Sequence, residues 1–80
     1  MNVAIHSIRG TRWQGTAEKL ICRTPQGQIT VLDHHIPMIT RLEGPDLRIV
    51  DKNNESVTIS LISGFLEVRP DSDARILAEQ

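Results

Sequence analysis

The stretch Ser63-Gly64-Phe65-Leu66-Glu67-Val68 decides the fold class of this chain. Leu66 and Val68 are separated by the single polar residue Glu67, so apolar and polar side chains alternate with a period of two. On a β-strand this period places every second side chain on the same face of the sheet, whereas an amphipathic helix requires spacings of three and four. The stretch is therefore predicted to be a core strand with Glu67 directed outward.

The same alternation recurs along the rest of the chain. Many of its positions hold valine, isoleucine or threonine, whose branched Cβ atoms fit a pleated sheet better than a helix. The further alternating sets are Val3 and Ile5; Leu20 and Cys22; Leu47 and Ile49; Val57, Ile59 and Leu61; and, more weakly, the stretch Ala74 to Ala78. No segment has a convincing helical pattern, so the sequence predicts an all-β protein.

Turn-forming residues interrupt the chain about every ten residues, a spacing typical of sandwiches and barrels of short strands. They are Gly10, Gly15, Pro25 to Gly27, Pro37, Gly44-Pro45, Lys52 to Glu55, Gly64 and Pro70-Asp71. The clearest predicted hairpin joins residues 46–51 to residues 56–62. Its turn is placed at Asn53-Asn54, because asparagine tolerates the left-handed backbone that tight turns require.

Length and charge limit the functional classes. The 80 residues suffice for one small domain, 1–80, and 9 basic residues against 10 acidic ones give no field that would attract a nucleic acid. The aromatic residues Trp13 and Phe65 are too few for a base-stacking platform; a core anchor is favoured for Trp13 over the alternative of an exposed partner contact. Residues 1–10 contain no long apolar run, so a soluble protein without direct membrane insertion is expected.

Few side chains in the sequence suggest a catalytic or metal-binding site. Cys22 is the single cysteine, which excludes an internal disulfide, fits a reducing compartment and is best explained as a packed core thiol. Asp33, His34 and His35 form the only cluster of metal-ligand types, but adjacent strand residues face opposite sides and the His-x-His spacing is absent. We expect a polar turn there, with no metal, no cofactor and no catalytic residue. A small β-barrel metal-binding or ligand-binding protein using this cluster is the alternative.

Several segments, taken in order, resemble one protein family. They are Trp13-x-Gly15, Gly27 to Leu32, His35 to Thr40, Leu47-Arg48-Ile49, Ser63 to Pro70 and Ile76-Leu77-Ala78. Their order and spacing are similar to the epsilon subunit of F-type ATP synthases, which is called delta in mitochondria. The resemblance implies a flattened antiparallel sandwich of two sheets in a non-catalytic rotor subunit of the central stalk. Such a subunit couples the gamma subunit to the c ring during ATP synthesis and ion transport.

The resemblance also implies contact residues. Gln26, Gly27 and Gln28 fall in the family's turn that faces the polar loop of the c ring, and Ser7 and His35 fall near the gamma subunit. The family has carboxylates on both sides of the glycine, whereas this chain has glutamines. Charge attraction to a basic ring loop is therefore weakened, and hydrogen bonding would have to replace it.

The same resemblance implies a peripheral location at the cytoplasmic face of the inner membrane, as part of the synthase complex. The chain ends before the family's C-terminal helical hairpin, so neither the restraint of ATP hydrolysis nor the ATP binding of that hairpin is predicted for it. A further alternative is a general interaction adaptor that binds an unrelated protein through an edge strand.

Overall fold

The computed structural model describes residues 1–79 and contains eight β-strands. They are β1 Asn2–Ser7, β2 Gly10–Thr16, β3 Lys19–Thr24, β4 Gly27–Leu32, β5 Met38–Val50, β6 Ser56–Ser60, β7 Ser63–Arg69 and β8 Asp73–Glu79. No helix occurs among these residues, and the prediction of an all-β fold is confirmed.

The strands form two packed layers. Strand order is β2-β1-β8-β7-β5-β3-β4, with β6 also paired to β5. Layer one consists of β2, β1, β8, β7 and residues 38–43 of β5, and layer two consists of residues 46–50 of β5 with β6, β3 and β4. Because β5 passes from one layer to the other, the predicted sandwich is hydrogen-bonded as one continuous sheet. One pair departs from the predicted antiparallel pattern, since β1 and β8 run parallel.

The core lies between the layers and follows the predicted alternation. Leu66 and Val68 of β7 are buried, and so are the apolar positions predicted for β1, β3, β5 and β8. Trp13 packs against this core from β2, as predicted. The prediction of a buried position is wrong for Val57, which is 43% exposed. It lies on β6, which among the described strands pairs with β5 alone, so the other edge of β6 leaves this side chain uncovered.

Three predicted turn signals lie inside strands instead. Gly15 is within β2, Gly44 within β5 and Gly64 within β7, so the prediction of turns at these positions is wrong. Each glycine permits a close approach: a Cβ would meet the Trp13 ring at residue 15, the Leu61 carbonyl oxygen at residue 44 and a neighbouring backbone at residue 64. At each position the absence of a side chain is required for packing, and the extended backbone continues through the glycine.

The predicted hairpin turn at Asn53-Asn54 is confirmed. Asp51 Oδ1 accepts hydrogen bonds from the backbone N–H groups of Asn53, at 2.8 Å, and Glu55, at 3.0 Å. Asn54 has a φ of 63°, a left-handed conformation that asparagine tolerates well. The Asp51 side chain thus supplies the local hydrogen bonds that close the connection between β5 and β6.

Candidate partner-binding surfaces

Gln26, Gly27 and Gln28 lie at the hairpin between β3 and β4. The buried Thr24 hydroxyl donates to the Gly27 carbonyl oxygen at 2.8 Å and accepts from the Gln26 N–H at 3.2 Å. Gly27 has a φ of 122°, which strongly favours glycine. The four residues 25–28 are exposed, and we name them the glutamine turn. The buried hydroxyl holds the loop in one shape while its amide side chains face solvent.

Ser7 holds the hairpin between β1 and β2 in the same way. Its hydroxyl accepts from the Arg9 N–H at 3.1 Å and approaches the Gly10 carbonyl oxygen at 3.5 Å, while Gly10 has a φ of 120°. The tip of this hairpin is Ile8, which is completely exposed. The Ser7 hydroxyl is therefore engaged by its own turn, and the apolar group beside it is the one available to a partner.

Ser7 and the glutamine turn lie at the same end of the sandwich, which we name the corner end. Strand register establishes this. His6, next to Ser7, pairs with Leu77 of β8, and Ser63 pairs with both Glu79 of β8 and Glu43 of β5. Glu43 pairs in turn with Arg23, directly before the hairpin that carries the glutamine turn. The corner end therefore includes the bend of β5 and the two hairpins of residues 7–10 and 24–27.

His35 lies at the opposite end, in the loop between β4 and β5. Its neighbour His34 has a φ of 62°, and the His34 N–H donates to the Ser72 hydroxyl at 3.3 Å. The His35 Nδ1 is 2.7 Å from the carbonyl oxygen of Ile36. We name this the loop end, formed by residues 33–37, 51–55 and 70–72. The structure does not bring the two predicted gamma contacts, Ser7 and His35, together.

The alternative ligand cluster is not assembled into a site. His34 Nδ1 lies 3.2 Å from the Ser72 hydroxyl, while His6 lies on β1 with its Nδ1 3.3 Å from the hydroxyl of Thr11. Within residues 1–79, no three histidine, cysteine or acidic side chains are grouped so that they could hold a metal ion. The geometry therefore gives no support to metal chemistry at Asp33, His34 and His35.

Cys22 is buried between the layers, as predicted. Burial in apolar surroundings raises the pKa of its thiol from 9.0 to about 12. The thiolate is the nucleophilic form of cysteine, and it is suppressed at every physiological pH. Cys22 acts as a small apolar core residue.

Asp33 connects elements at the loop end. Its carboxylate is 3.3 Å from the α-ammonium group of Met1, which also donates to the Ala17 carbonyl oxygen at 2.8 Å. A hydrogen bond from Ser72, followed by the interaction with the ammonium group, lowers the pKa of the Asp33 carboxyl group below its usual value of 3.8. The charged carboxylate therefore favours the folded state, and protonation removes that contribution.

Replacing Asp33 by asparagine should reduce stability only where the carboxylate is ionised. Since the folded-state pKa is lowered, the contribution is complete above the unfolded-state pKa of about 3.9 and is lost as the pH falls through the folded-state value. We expect the wild-type midpoint of thermal unfolding to exceed that of Asp33→Asn near neutral pH, and the two to converge in acid. The matched control is Asp71→Asn in the neighbouring turn. A difference between wild type and Asp33→Asn that is constant with pH would contradict this interpretation.

An exposed apolar row, which was not among the predicted sites, crosses the outer face of layer one. Its members are each at least 53% exposed. They are Ile36, Ile39, Phe65, Leu77 and Ile8, and we name this set the apolar diagonal. Register places Phe65 of β7 directly beside Leu77 of β8, with Ile39 nearer the loop end and Ile8 at the corner end. The signal was available, because Phe65 and Leu77 occupy the outward phase of strands whose inward residues are Leu66 and Ile76.

An open groove lies beside the corner half of the apolar diagonal. It has a volume of about 690 Å³ and is lined by Ser7, Arg12, Ser63, Phe65 and Leu77, among others. Ser7 therefore lines the same groove as Phe65 and Leu77. Large contiguous patches of exposed apolar side chains are typical of interaction sites.

The described residues form a β-sandwich with exposed apolar side chains on one face and two hydrogen-bonded hairpins at one end. Residues 1–80 match the family model described as the ATP synthase delta/epsilon chain, beta-sandwich domain. The chain therefore belongs to this family, and the resemblance stated from its sequence segments is confirmed. Membership in this family agrees with the prediction of a subunit that is not itself the catalytic one.

Curated relatives support the same assignment. The chain is 34% identical over 79 residues to the ATP synthase epsilon chain of Brevibacillus brevis and 36% identical over 79 residues to that of an Exiguobacterium species. These matches cover 99% of this chain and 59% and 57% of the two relatives, respectively. The epsilon chain of Mycobacterium tuberculosis is 34% identical over 80 residues, with 65% of its length covered. The chain thus spans roughly three fifths of the length of these relatives.

Solved structures share the fold. A chain in the Euglena gracilis mitochondrial ATP synthase structure of OSCP, F1 and c-ring superposes with a TM-score of 0.88 at 18% identity, covering 98% of this chain and 49% of that one. A chain in the Tetrahymena thermophila central stalk and c-ring structure superposes with a TM-score of 0.80 at 15% identity, covering 100% and 63%. At these identities the comparison establishes the β-sandwich architecture.

Among the described residues, no helix has the length and apolar character needed to cross a membrane.

Proposed function

We propose that this chain is a central-stalk subunit of an F-type ATP synthase that couples the gamma subunit to the c ring. Family membership supports the placement in the synthase, and the two solved structures that share the fold include a c-ring, one of them together with the central stalk. As a stalk subunit it transmits torque through its surfaces and needs no reactive group. A rotor position also implies a peripheral location at the cytoplasmic face of the membrane that holds the ring.

The main support for the proposed gamma contact is the path of the apolar diagonal across layer one. It begins beside His35 at the loop end, crosses β5, β7 and β8, and reaches Ile8 beside Ser7 at the corner end. The two residues assigned to gamma are at opposite ends of the sandwich, so a compact contact cannot include both. A partner lying along the diagonal touches both and covers every exposed apolar side chain between them.

The dimensions fit an elongated partner element. The molecule measures 26 × 23 × 20 Å, so a helix of about 15 residues, at a rise of about 1.5 Å per residue, spans the face. Charges of both signs flank the apolar row, with Arg41 opposite Phe65 and Glu67 opposite Ile39. Such a surface buries apolar area at its centre and keeps polar groups at its rim, as protein interfaces do.

The c-ring contact is assigned to the glutamine turn. Its tip is exposed at the corner end, it is held by the Thr24 hydroxyl, and it is separate from the apolar diagonal. Two surfaces with different chemistry are what a coupling subunit needs, because it must hold the stalk and the ring at once. Loss of one surface should then leave the other intact.

Removing the centre of the apolar diagonal tests the proposal. The double variant Phe65→Ala and Leu77→Ala should bind the cognate gamma subunit about 30-fold more weakly, because two buried anchors of roughly 1 kcal/mol each are lost. Both side chains are exposed in the free chain, so its stability should change little. Titration calorimetry or gel filtration with purified gamma measures the affinity.

The matched control is Val57→Ala, which removes an exposed apolar side chain from layer two. It should leave gamma binding unchanged. Equal affinity of wild type and the double alanine variant would overturn the assignment of the apolar diagonal. A wild-type chain that fails to co-elute with gamma at micromolar concentration would count against the rotor function as a whole.

A further inference from the structure

We infer that this chain forms a weak dimer in which the β4 strands of two copies pair antiparallel about a two-fold axis at Ile29. The inference concerns a second copy of the same chain, so it goes beyond the proposed function and does not depend on it. Strand β4 lies at the end of the strand order and is hydrogen-bonded to β3 alone among the described strands. Its other edge is therefore open to a further strand.

The open edge of β4 presents backbone groups that no described strand pairs with. A two-residue turn closes the hairpin at the pair Thr24 and Gly27, and in an antiparallel ladder every second pair exchanges both of its hydrogen bonds. The N–H and C=O groups of Ile29 are consequently directed to β3, whereas those of Gln28 and Thr30 are directed to the open edge. A partner strand can pair with these outward groups.

Strand β4 has none of the residues that discourage pairing at other open edges of the sandwich. Charged side chains and prolines on an edge strand oppose the addition of another strand. Strand β2, at the other end of the strand order, carries Arg12, and β6 directly follows Glu55. Strand β4 reads Gly-Gln-Ile-Thr-Val-Leu and contains neither a charged residue nor a proline. A second copy of β4 can therefore approach it without repulsion between like charges.

The sequence of β4 is complementary to itself across the two-fold axis. With Ile29 on the axis, Gln28 of each copy lies opposite Thr30 of the other, and their outward backbone groups exchange hydrogen bonds in both directions. On the solvent face the Gln28 amide meets the Thr30 hydroxyl, and each of these groups can both donate and accept. On the inner face Ile29 is half-buried against the core, and it packs against Ile29 of the other copy.

The interface is small, which makes the dimer weak. Two short strands and one apolar pair bury much less than the roughly 1,600 Å² of a standard protein interface, so we expect a dissociation constant on the order of 100 μM. Because no opposite charges meet across the axis, this constant should depend little on ionic strength.

Sedimentation equilibrium of the full chain from about 10 μM to about 1 mM tests the inference. The double variant Gln28→Lys and Thr30→Lys places lysines directly opposite each other, where like charges repel, and should weaken dimerisation at least about tenfold. Both side chains are exposed, so the variant should keep its fold, which circular dichroism checks. The matched control, Ser56→Lys with Thr58→Lys, makes the same change of charge on the open edge of β6 and should dimerise like the wild type.

Each outcome decides for or against the pairing through β4. Dimerisation of the wild type and of the β6 control, with loss of the dimer in the β4 variant alone, supports it. A wild type that stays monomeric up to about 1 mM, or a dimer that the β4 lysines do not weaken, would overturn it. Weakening by both variants, with masses beyond the dimer, would show that β4 of one copy pairs with β6 of the next, which also contradicts a two-fold dimer. None of these outcomes bears on the binding of gamma.

Discussion

Gly64→Ala is expected to destabilise the domain by about 3 kcal/mol, because a methyl group has no space between β7 and β8. A Cβ at this position would lie 2.5 Å from the carbonyl oxygen of Leu77 and 3.4 Å from the Cα of Ala78. Both atoms belong to the backbone of a central strand, so relief requires the two strands to separate. Denaturant unfolding followed by circular dichroism measures the loss.

The control for this prediction is the same substitution at Gly15. There a Cβ would meet the Trp13 ring at 2.8 Å, and the nearest atoms belong to a side chain that is only half-buried. The ring can move where a backbone carbonyl cannot, so Gly15→Ala should cost less than about 1 kcal/mol. If both alanine variants lost the same stability, the backbone contact at residue 64 would not be the cause.

Leu66→Ala should destabilise the domain by a similar amount, for a different reason. Leu66 is completely buried at the centre of the core, and removing a buried leucine side chain typically costs about 2 to 5 kcal/mol through lost burial and a residual cavity. A domain of this length has a total stability of about 4 to 12 kcal/mol. The variant should therefore show a strongly lowered denaturation midpoint, with a measurable unfolded fraction near body temperature.

The neighbouring residue provides a matched comparison. Phe65 lies on the same strand, but its side chain faces outward and is 53% exposed. The free energy of unfolding of Phe65→Ala should lie within about 1 kcal/mol of the wild-type value, while its affinity for gamma should fall. Similar destabilisation by Leu66→Ala and Phe65→Ala would contradict the assignment of one residue to the core and the other to the partner surface.

Much of the fold was predictable because alternation reports strand faces directly. The positions Val3, Ile5, Leu20, Leu47 and Ile49 are buried as their period predicts. The turn at Asn53-Asn54 was predictable because few residues other than glycine accept a left-handed backbone easily. These are local properties, in which the residue type and its immediate neighbours carry the information.

The positions where sequence reasoning failed depend on distant contacts. Gly44-Pro45 has the composition of a turn, yet β5 continues through it because Leu61 packs closely against the glycine. The parallel pairing of β1 with β8 joins segments roughly seventy residues apart, and no local pattern reports such a pairing. Val57 shares the alternation of the core strands but lies on a strand with one uncovered edge.

The candidate partner-binding surfaces also include one part that local sequence predicts and one part that depends on distant contacts. The glutamine turn was predictable from the sequence, since Pro25 and Gly27 suit a tight hairpin and the family segment falls on it. The apolar diagonal was not, because its members come from β5, β7, β8 and two loops and become neighbours only when the strands pair. His35 and Ser7 could be assigned to gamma by resemblance, but their separation to opposite ends required the strand register.

The stretch from Ser63 to Val68 determined by its own chemistry that the chain forms strands, because a period of two cannot place its apolar groups on one side of a helix. The same alternation predicted its buried face, and tertiary structure alone decided what its outer face does. Leu66 and Val68 meet the opposite layer and build the core, whereas Phe65 becomes part of a surface only because Leu77 is placed beside it. Burial follows from local pattern, but a binding surface is assembled from residues that only folding makes adjacent.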